Sequence, residues 1–345
     1  MQPFTREELC RVIEGKGNAG RVPLIYNIWV APETFGDRRD EVKKLLDVYP
    51  FDVEHLFIQM PEVFDAPADD PTFRWCQKAN RYEGSSVGLD ARIAIEDWEE
   101  LDDIIAHFPT PDAKKLLPSA PPKGEKYRLI HWWYWMFERF WSLRGMENSL
   151  TDFYTDPEEV HRLFDALTNF YCGVLERAKR ELNPDGLFLS DDIGTQNGPF
   201  FSVELFVEFF KPYYKRLIDK AHELGMHLWL HSCGNIEAYL PHLIEIGLDV
   251  IHPIQKHTMD EAHIAETYGD KICILAGFDV QQAIPYGTVD DVRKEARHLI
   301  DTFARKDGRF MLTMGNQVTP DCPVESLEAL LEESFRYGTE KLSQL

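Results

Sequence analysis

Basic residues are scarce in this sequence: 37 Lys and Arg stand against 59 Asp and Glu, which gives a formal net charge of −22. Nucleic acids and anionic membrane surfaces are polyanions, so this charge disfavours both as partners. No apolar run approaches the roughly 20 residues that are needed to span a bilayer, and residues 1–11 lack the pattern of a secretory signal. We therefore expect a cytoplasmic protein that binds neither nucleic acid nor membrane.

Cysteines and common catalytic motifs are scarce as well. The six cysteines are scattered over 345 residues without the spacing of a disulfide framework, which favours free thiols. The sequence lacks a glycine-rich loop of the P-loop or dinucleotide-binding type, and it lacks a G-x-S-x-G nucleophile elbow. These absences argue against the most common nucleotide-binding and serine-hydrolase sites.

What the sequence does contain is an alternation of short apolar runs with amphipathic helical segments. Hydrophobic residues make up 44% of the chain, enough for a large core. Eight runs are predicted as strands: Val22–Trp29, Val53–Met60, Tyr127–Trp135, Gly186–Asp192, His227–Cys233, Val250–Gln255, Lys271–Asp279 and Phe310–Asn316. We predict an α/β fold, a single (β/α)8 barrel of TIM type over residues 1–345, with an N-terminal helical extension.

Helix ends and loops carry their own signals. Ser202 and Thr288 are predicted N-caps, and the last long helix is predicted to start at Pro323 and to stop at Gly338. Segments 65–88 and 109–126 are rich in Pro, Gly and charge. They predict long loops over the C-terminal face of the barrel, or simple solvated connections.

His231 and Cys233 form the most specific pattern in the sequence. They end a predicted strand, where residues i and i+2 point to the same side, so that an imidazole and a thiolate converge. Zinc binds this pair of ligands. The alternative is a buried His and a buried Cys packed inside the barrel.

The adjacent carboxylates of Asp191 and Asp192 end another predicted strand. Because side chains alternate along a strand, the two cannot both face the lumen. One is expected to face a substrate or a metal and the other to cap a loop or helix; capping alone is the alternative.

Aromatic and polar residues at other strand ends are candidate substrate contacts. Rings at a strand end can line a pocket, although for each ring a core position is the alternative. The candidate substrate-binding residues are Trp29, His131, Trp133, Trp135, Gln196 and Asn316.

The block from Asp191 to Pro323 resembles the uroporphyrinogen decarboxylase superfamily. The resemblance is carried by FLSDDIGTQNGPFFSVELFVEFF, HLWLHSCGN, LAGFDVQQAIPYG and MLTMGNQVTPDCP, and it extends over nearly the whole chain. It implies a (β/α)8 barrel independently of the strand count. The decarboxylase arm carries an arginine-rich motif after the first strand, but no arginine lies between Val22 and Gly36 here. The resemblance therefore implies the other arm, the methyltransferases that work with corrinoid proteins.

Within that arm, an H-x-C-G motif supplies the first two zinc ligands, which His231 and Cys233 match. The third is commonly a cysteine in G-C-x-x-x-P, and the matching position here is Asn316. A catalytic zinc site needs three protein ligands. The remaining candidates for the third ligand are Asp192, Asp279 and Cys322.

The resemblance implies an O-demethylase type of methyltransferase that acts on a small methyl ether, an aromatic one if the tryptophans line its pocket. The methyl group would pass to the cobalt of a separate corrinoid protein, because the chain lacks a D-x-H-x-x-G corrinoid motif. Catalytic roles would fall to Asp191, Asp192, His231 and Cys233. Two alternatives stay open: a methyl-corrinoid:thiol methyltransferase, and a metal-free barrel, lyase-like or non-catalytic, that binds a small organic acid or a cobamide. Asn316 favours the metal-free alternative.

Overall fold

The computed structural model describes residues 2–49, 51–78 and 93–345. Within these residues, seven strands form one curled sheet in the order of the chain, and all neighbouring strands pair in parallel. The strands are β1 Val53–Phe57, β2 Tyr127–Trp132, β3 Gly186–Ser190, β4 His227–His231, β5 Val250–His252, β6 Cys273–Phe278 and β7 Phe310–Met314. The sequence predicted all seven, and each ends one to three residues before its predicted end.

At least one helix follows every strand, so the parallel sheet is covered as in other α/β proteins. The helices are α1 Arg6–Ile13, α2 Arg39–Val48, α3 Leu101–Ala106, α4 Phe137–Arg144, α5 Met146–Thr155, α6 Pro157–Leu182, α7 Val203–Leu205, α8 Lys211–Glu223, α9 Leu240–Glu245, α10 Glu261–Tyr268, α11 Ala283–Tyr286, α12 Val289–Phe303 and α13 Val324–Gln344. Short 3-10 segments are Pro32–Arg38, Trp98–Glu100 and Glu237–Tyr239, and a π-helical turn, Phe206–Phe210, joins α7 to α8. No helix among the described residues has the length and apolarity that crossing a membrane requires.

The first predicted strand, Val22–Trp29, is reduced to one parallel bridge between Leu24 and Leu312 of β7. The Leu312 N–H donates to the Pro23 carbonyl at 2.9 Å, but proline itself has no N–H to extend the ladder. The chain then turns, since the Tyr26 carbonyl accepts backbone bonds from residues 29 and 30. The eight predicted strands are thus seven strands and one short segment along β7.

Two predicted helix starts are confirmed and one predicted stop is wrong. Ser202 accepts a hydrogen bond from a backbone N–H of α7, and Thr288 forms a capping box at the start of α12. Helix α13 continues through Gly338 because this glycine allows close packing. A Cβ there would lie 2.9 Å from the Val22 side chain.

The two predicted loop segments contain no helix or strand where they are described. Segment 109–126 is irregular throughout, and the described part of segment 65–88, residues 65–78, has a single bridge at Arg74. The remaining residues of segment 65–88, from 79 to 88, lie outside the described residues.

Asp52, just before β1, connects three parts of the N-terminal region. It is fully buried, and its carboxylate accepts two hydrogen bonds from the Arg21 guanidinium at 2.6 and 2.7 Å. It also accepts from the backbone N–H groups of Phe4 and Leu24, both at 2.9 Å. This carboxylate therefore holds the segment along β7 against the start of β1.

We expect Asp52→Ala to lower the free energy of unfolding by about 3–5 kcal/mol, because it leaves a buried guanidinium without its partner. Urea denaturation followed by circular dichroism measures this change. The exposed Asp47→Ala provides the control, with an expected loss below about 0.5 kcal/mol. Equal losses in the two variants would show that the buried ion pair does not stabilise the fold.

Candidate functional site

Asp192, His231 and Cys233 form a cluster of possible metal ligands at the C-terminal ends of β3 and β4. One ligand atom of each lies within 4.8 Å of the others, and within the part of the chain that the structure describes this is the one such group of three. His231 Nε2 lies 3.4 Å from Cys233 Sγ and 3.6 Å from Asp192 Oδ1. The sequence predicted the pair of His231 and Cys233 and left the third ligand open among Asp192, Asp279 and Cys322; the structure brings Asp192 to the pair.

Two glycines allow the loops after β3 and β4 to meet. A Cβ on Gly234, which has a φ of +82°, would lie 2.4 Å from the Gly194 carbonyl carbon. The close contact lets the Cys233 N–H donate to Asp192 Oδ1 at 2.7 Å. Gln255 holds the same turn by accepting from the Gly234 N–H at 2.6 Å. Glycine at these two positions thus places the carboxylate next to the thiol.

His252, at the end of β5, orients the imidazole of His231. Its Nε2 lies 2.9 Å from the Met314 carbonyl, which can only accept, so Nε2 carries a proton. Burial lowers the pKa of both His231 and His252, so both rings are neutral. His252 Nδ1 then accepts from His231 Nδ1 at 2.7 Å. The lone pair of His231 Nε2 is therefore free and faces the cluster, as a metal-ligating histidine requires.

The two adjacent carboxylates take the two different roles that the sequence left unassigned. Asp191 is fully buried. It accepts hydrogen bonds at 2.8–3.1 Å from the backbone N–H groups of residues 136–138, at the start of α4, and another from the Tyr214 hydroxyl. Burial raises the pKa of Asp191 to about 6, against the effect of these bonds. Asp191 thus caps a helix, while Asp192 lies at the cluster.

The candidates for the third metal ligand separate clearly. Asp279 is engaged by backbone N–H groups of residues 281–283 at 2.9–3.2 Å, and it caps α11. Cys322 is buried elsewhere, with its Sγ 3.9 Å from the Ile284 carbonyl. Asn316, at the position of the cysteine in the related motif, directs its Nδ2 to Cys233 Sγ at 3.6 Å. Asp192 is the one candidate that lies within the cluster.

Two of the predicted aromatic residues lie beside the cluster. The Trp29 ring stacks on Trp133, with centroids 5.5 Å apart, and on His252 at 5.2 Å. The Trp133 ring lies 6.4 Å from that of His231 and remains partly exposed. These two indoles form an apolar wall next to the candidate metal ligands.

Of the other predicted substrate contacts, Asn316 lies beside Cys233, whereas Trp135, His131 and Gln196 do not contact the cluster. Trp135 is fully buried and stacks on Tyr214 at 3.8 Å, so it belongs to the core. His131 is buried, with its Nε2 3.1 Å from His55 Nδ1, and burial lowers its pKa to about 3. Gln196 is exposed on the loop after β3. The sequence could not distinguish these positions, because burial depends on which helix covers a strand end.

Glu138 is a residue that the sequence analysis missed. It lies in the first turn of α4, where glutamate is ordinary, yet its side chain is buried and accepts a hydrogen bond from the Ser190 hydroxyl. Burial, with the nearby carboxylates of Asp192 and Asp191, raises the pKa of Glu138 to about 8. Burial thus favours the protonated form of this carboxyl.

A cavity of about 540 Å³ has Trp133 in its wall, and Asp192, His231 and Cys233 are not among its lining residues. Its wall consists of Phe57, Gln59, Met60, Pro61, Glu62, Val63, Phe64, Asp65, Trp133, Tyr134, Arg139, Trp141 and Ser142. A smaller crevice of about 70 Å³ opens at Cys233 and Asn316. The volume and the aromatic lining of the larger cavity suit a small organic ligand.

We expect wild-type stability to fall more steeply with pH than that of Glu138→Gln. A carboxyl whose pKa is raised from 4.5 to about 8 on folding contributes stability that is complete below 4.5 and is lost as the pH rises through 8. The difference in melting temperature between Glu138→Gln and the wild type should therefore be more favourable to the variant at pH 9 than at pH 5. Thermal unfolding at both values measures this, with the exposed Glu208→Gln as the control. Parallel pH profiles for all three proteins would refute it.

Comparisons with known proteins agree with these features. The family model described as Uroporphyrinogen decarboxylase (URO-D) matches residues 140–337. A Methylated-thiol--coenzyme M methyltransferase of Methanosarcina mazei is 30% identical over 189 residues, which cover 54% of this chain and 47% of that protein. The Methylcobamide:CoM methyltransferase MtbA of the same organism is 23% identical over 186 residues, 53% of this chain and 52% of that protein.

The chain thus spans about half the length of the curated relatives that it matches. A solved structure, a methyltransferase from Methanosarcina mazei, has the same fold with a TM-score of 0.60 at 12% identity, and the match covers 96% of this chain and 98% of that one. The chain belongs to the uroporphyrinogen decarboxylase (URO-D) family, and the curated relatives that it matches are methyltransferases.

Proposed function

We propose that this protein demethylates a small methyl ether and transfers the methyl group to the cobalt of a separate corrinoid protein. The observation that carries the proposal is the cluster of Asp192, His231 and Cys233, with a crevice at Cys233 and the indoles of Trp29 and Trp133 beside it. One curated relative is named for a methylcobamide substrate, which supports a corrinoid partner here.

The donor set of the cluster fits zinc. One carboxylate, one imidazole and one thiol are all zinc ligands, and three protein ligands with one open position are typical of a catalytic site. The lone pair of His231 Nε2 is directed to the cluster through the hydrogen bond to His252. A zinc ion bound there would act as a Lewis acid on the ether oxygen.

The third ligand favours an oxygen substrate over a thiol. Where related motifs place a soft cysteine, this chain has Asn316, and the harder Asp192 completes the cluster. Harder donor sets suit oxygen ligands, and softer sets suit sulfur. This observation supports an ether, since its oxygen would take the open position.

In the proposed reaction the bond between the methyl carbon and the ether oxygen breaks. The electron pair of that bond stays on the oxygen, which takes up a proton, and the electron pair of cobalt(I) forms the new bond to carbon. The chain's own task is to hold the ether beside the cluster. Trp29 and Trp133 exclude water on one side, and the Asn316 amide donates to Cys233 Sγ.

A methyl-corrinoid:thiol methyltransferase is the second candidate. The names of both curated relatives include coenzyme M, a thiol acceptor, and the small crevice at Cys233 would admit a slender thiol. The two candidates predict opposite directions of methyl transfer and can be distinguished by substrate.

We expect the purified protein to bind about one zinc ion per chain, and Asp192→Ala, His231→Ala and Cys233→Ala each to lose it. Elemental analysis after dialysis against a weak chelator measures the content. Cys322→Ala, which removes a buried cysteine outside the cluster, should keep the metal. Asn316→Cys should tighten binding in chelator competition, because it adds a thiol near Cys233. Zinc that persists in all three alanine variants would place the metal elsewhere.

We expect cob(I)alamin to become methylated in the presence of the zinc-loaded protein and a methoxyarene. His231→Ala should slow this reaction at least about 100-fold, since changes that only touch metal ligands indirectly already cost 10–100-fold. The absorbance of cobalt(I) reports the rate. Methylcobalamin with 2-mercaptoethanesulfonate tests the second candidate: demethylation there, without ether demethylation, would overturn the first proposal. Absence of both reactions would favour a binding protein.

A further inference from the structure

Arg139, in the first turns of α4, is a buried cation in the wall of the 540 Å³ cavity. Only 5% of its surface is exposed. Its guanidinium donates a hydrogen bond to Ser142 Oγ at 3.3 Å and lies within hydrogen-bonding reach of the Tyr171 hydroxyl, while its Nε has no hydrogen-bond partner among the described residues. No described carboxylate forms an ion pair with it. A buried charge without a counter-ion is costly and calls for a specific explanation.

Aromatic rings hold this guanidinium in place. It lies over the Trp75 ring, 4.9 Å from the centroid, and 5.4 Å from that of Tyr134. Cation–π contacts of this kind fix the orientation of the cation but do not neutralise its charge. The adjacent side chain of Glu138 accepts a hydrogen bond from the Ser190 hydroxyl and forms no ion pair with Arg139 among the described residues.

Trp133 is the residue that relates this cavity to the cluster, whose three members do not line the cavity. The Trp133 ring forms part of the cavity wall, and it also stacks on Trp29 beside the ring of His231. The remaining rings in the wall include Phe57 and Trp141. A flat ring bound in this cavity would contact the Trp133 ring and place a substituent near the guanidinium.

We propose that Arg139 binds an anionic group of the substrate, and that the substrate is an aromatic carboxylate bearing a methyl ether. The proposal rests on the proposed function for the ether end alone. Arginine pairs with carboxylate through parallel hydrogen bonds, and the rings of the wall contact an aromatic body. The carboxylates of Glu62 and Asp65 also line the cavity, but both residues are exposed, whereas Arg139 is buried and therefore acts on a bound anion in a less polar surrounding.

Binding of a matched ligand pair tests this proposal without any need for catalysis. 4-Methoxybenzoate and 4-methoxybenzamide have nearly the same shape, and only the first carries a charge. We expect the wild-type protein to bind the benzoate about 10- to 100-fold more tightly, the effect of a hydrogen-bonded charge pair in a desolvated site. Isothermal titration calorimetry measures both affinities. Equal affinities would overturn the proposal and leave Arg139 a packing residue.

Two variants assign the preference to Arg139. Arg139→Gln should bind both ligands alike, whereas Arg139→Lys should retain part of the preference because it keeps the charge. Arg162→Gln, an exposed arginine that pairs with Asp102 outside the cavity, should behave as wild type. If Arg139→Gln fails to fold, the affinities of the wild type and of Arg139→Lys for the two ligands still test the role of Arg139. An undiminished preference in either Arg139 variant would place the anion site elsewhere.

The outcomes also separate this proposal from the proposed function. Tight binding of the benzoate that depends on Arg139, without methyl transfer to cob(I)alamin, would retain the anion site and reject the demethylase. Methyl transfer from methoxybenzene and 4-methoxybenzoate at equal kcat/KM would retain the demethylase and reject the anion site. The thioether 2-(methylthio)ethanesulfonate serves as a third ligand. If it competes with the benzoate in an Arg139-dependent manner, the anion site also accepts sulfonates; tighter binding than the benzoate would overturn the aromatic part of the proposal.

Discussion

The hydrogen-bonded pairing of β3, β4 and β5 is the constraint on which the site depends. Their parallel register places Ser190, His231 and His252 opposite one another. The residues that follow these strands therefore emerge at the same edge of the sheet, and the contact between Gly194 and Gly234 brings their loops together. The strand register and the two glycines thus bring the ligand atoms of the cluster close to one another.

Burial is the second constraint, and it keeps most of the ionisable groups around the strand ends neutral. Burial lowers the pKa of His131, His231 and His252, and it raises the pKa of Glu138. Neutral histidines keep a lone pair for a metal, and a protonated carboxyl does not compete for a cation. A guanidinium cannot become neutral in the same way, since arginine keeps its proton, and so Arg139 stands out in this environment.

Side chains of the same residue type have different roles in this site according to how deeply each is buried. Asp191 and Asp192 are neighbours, yet one caps α4 from a fully buried position and the other reaches the cluster. Trp133 and Trp135 lie two residues apart, but a turn follows β2, so Trp133 contacts the cavity while Trp135 packs on Tyr214. Strand alternation predicted that Asp191 and Asp192 have different roles. It did not predict the difference between Trp133 and Trp135, because the strand ends before these residues.

The sequence by itself determined the seven central strands, the helix caps at Ser202 and Thr288, the convergence of His231 with Cys233, and the resemblance to the family. These features depend on local periodicity or on short spacing. The tertiary structure alone decided that Asp192 rather than Asp279 or Cys322 joins the cluster and that His252 orients His231. It also decided that Arg139 lies buried in a cavity wall without a carboxylate partner among the described residues. Each of these depends on contacts between residues far apart in the chain, and no spacing in the sequence encodes which of several similar side chains the packed helices and loops will bury.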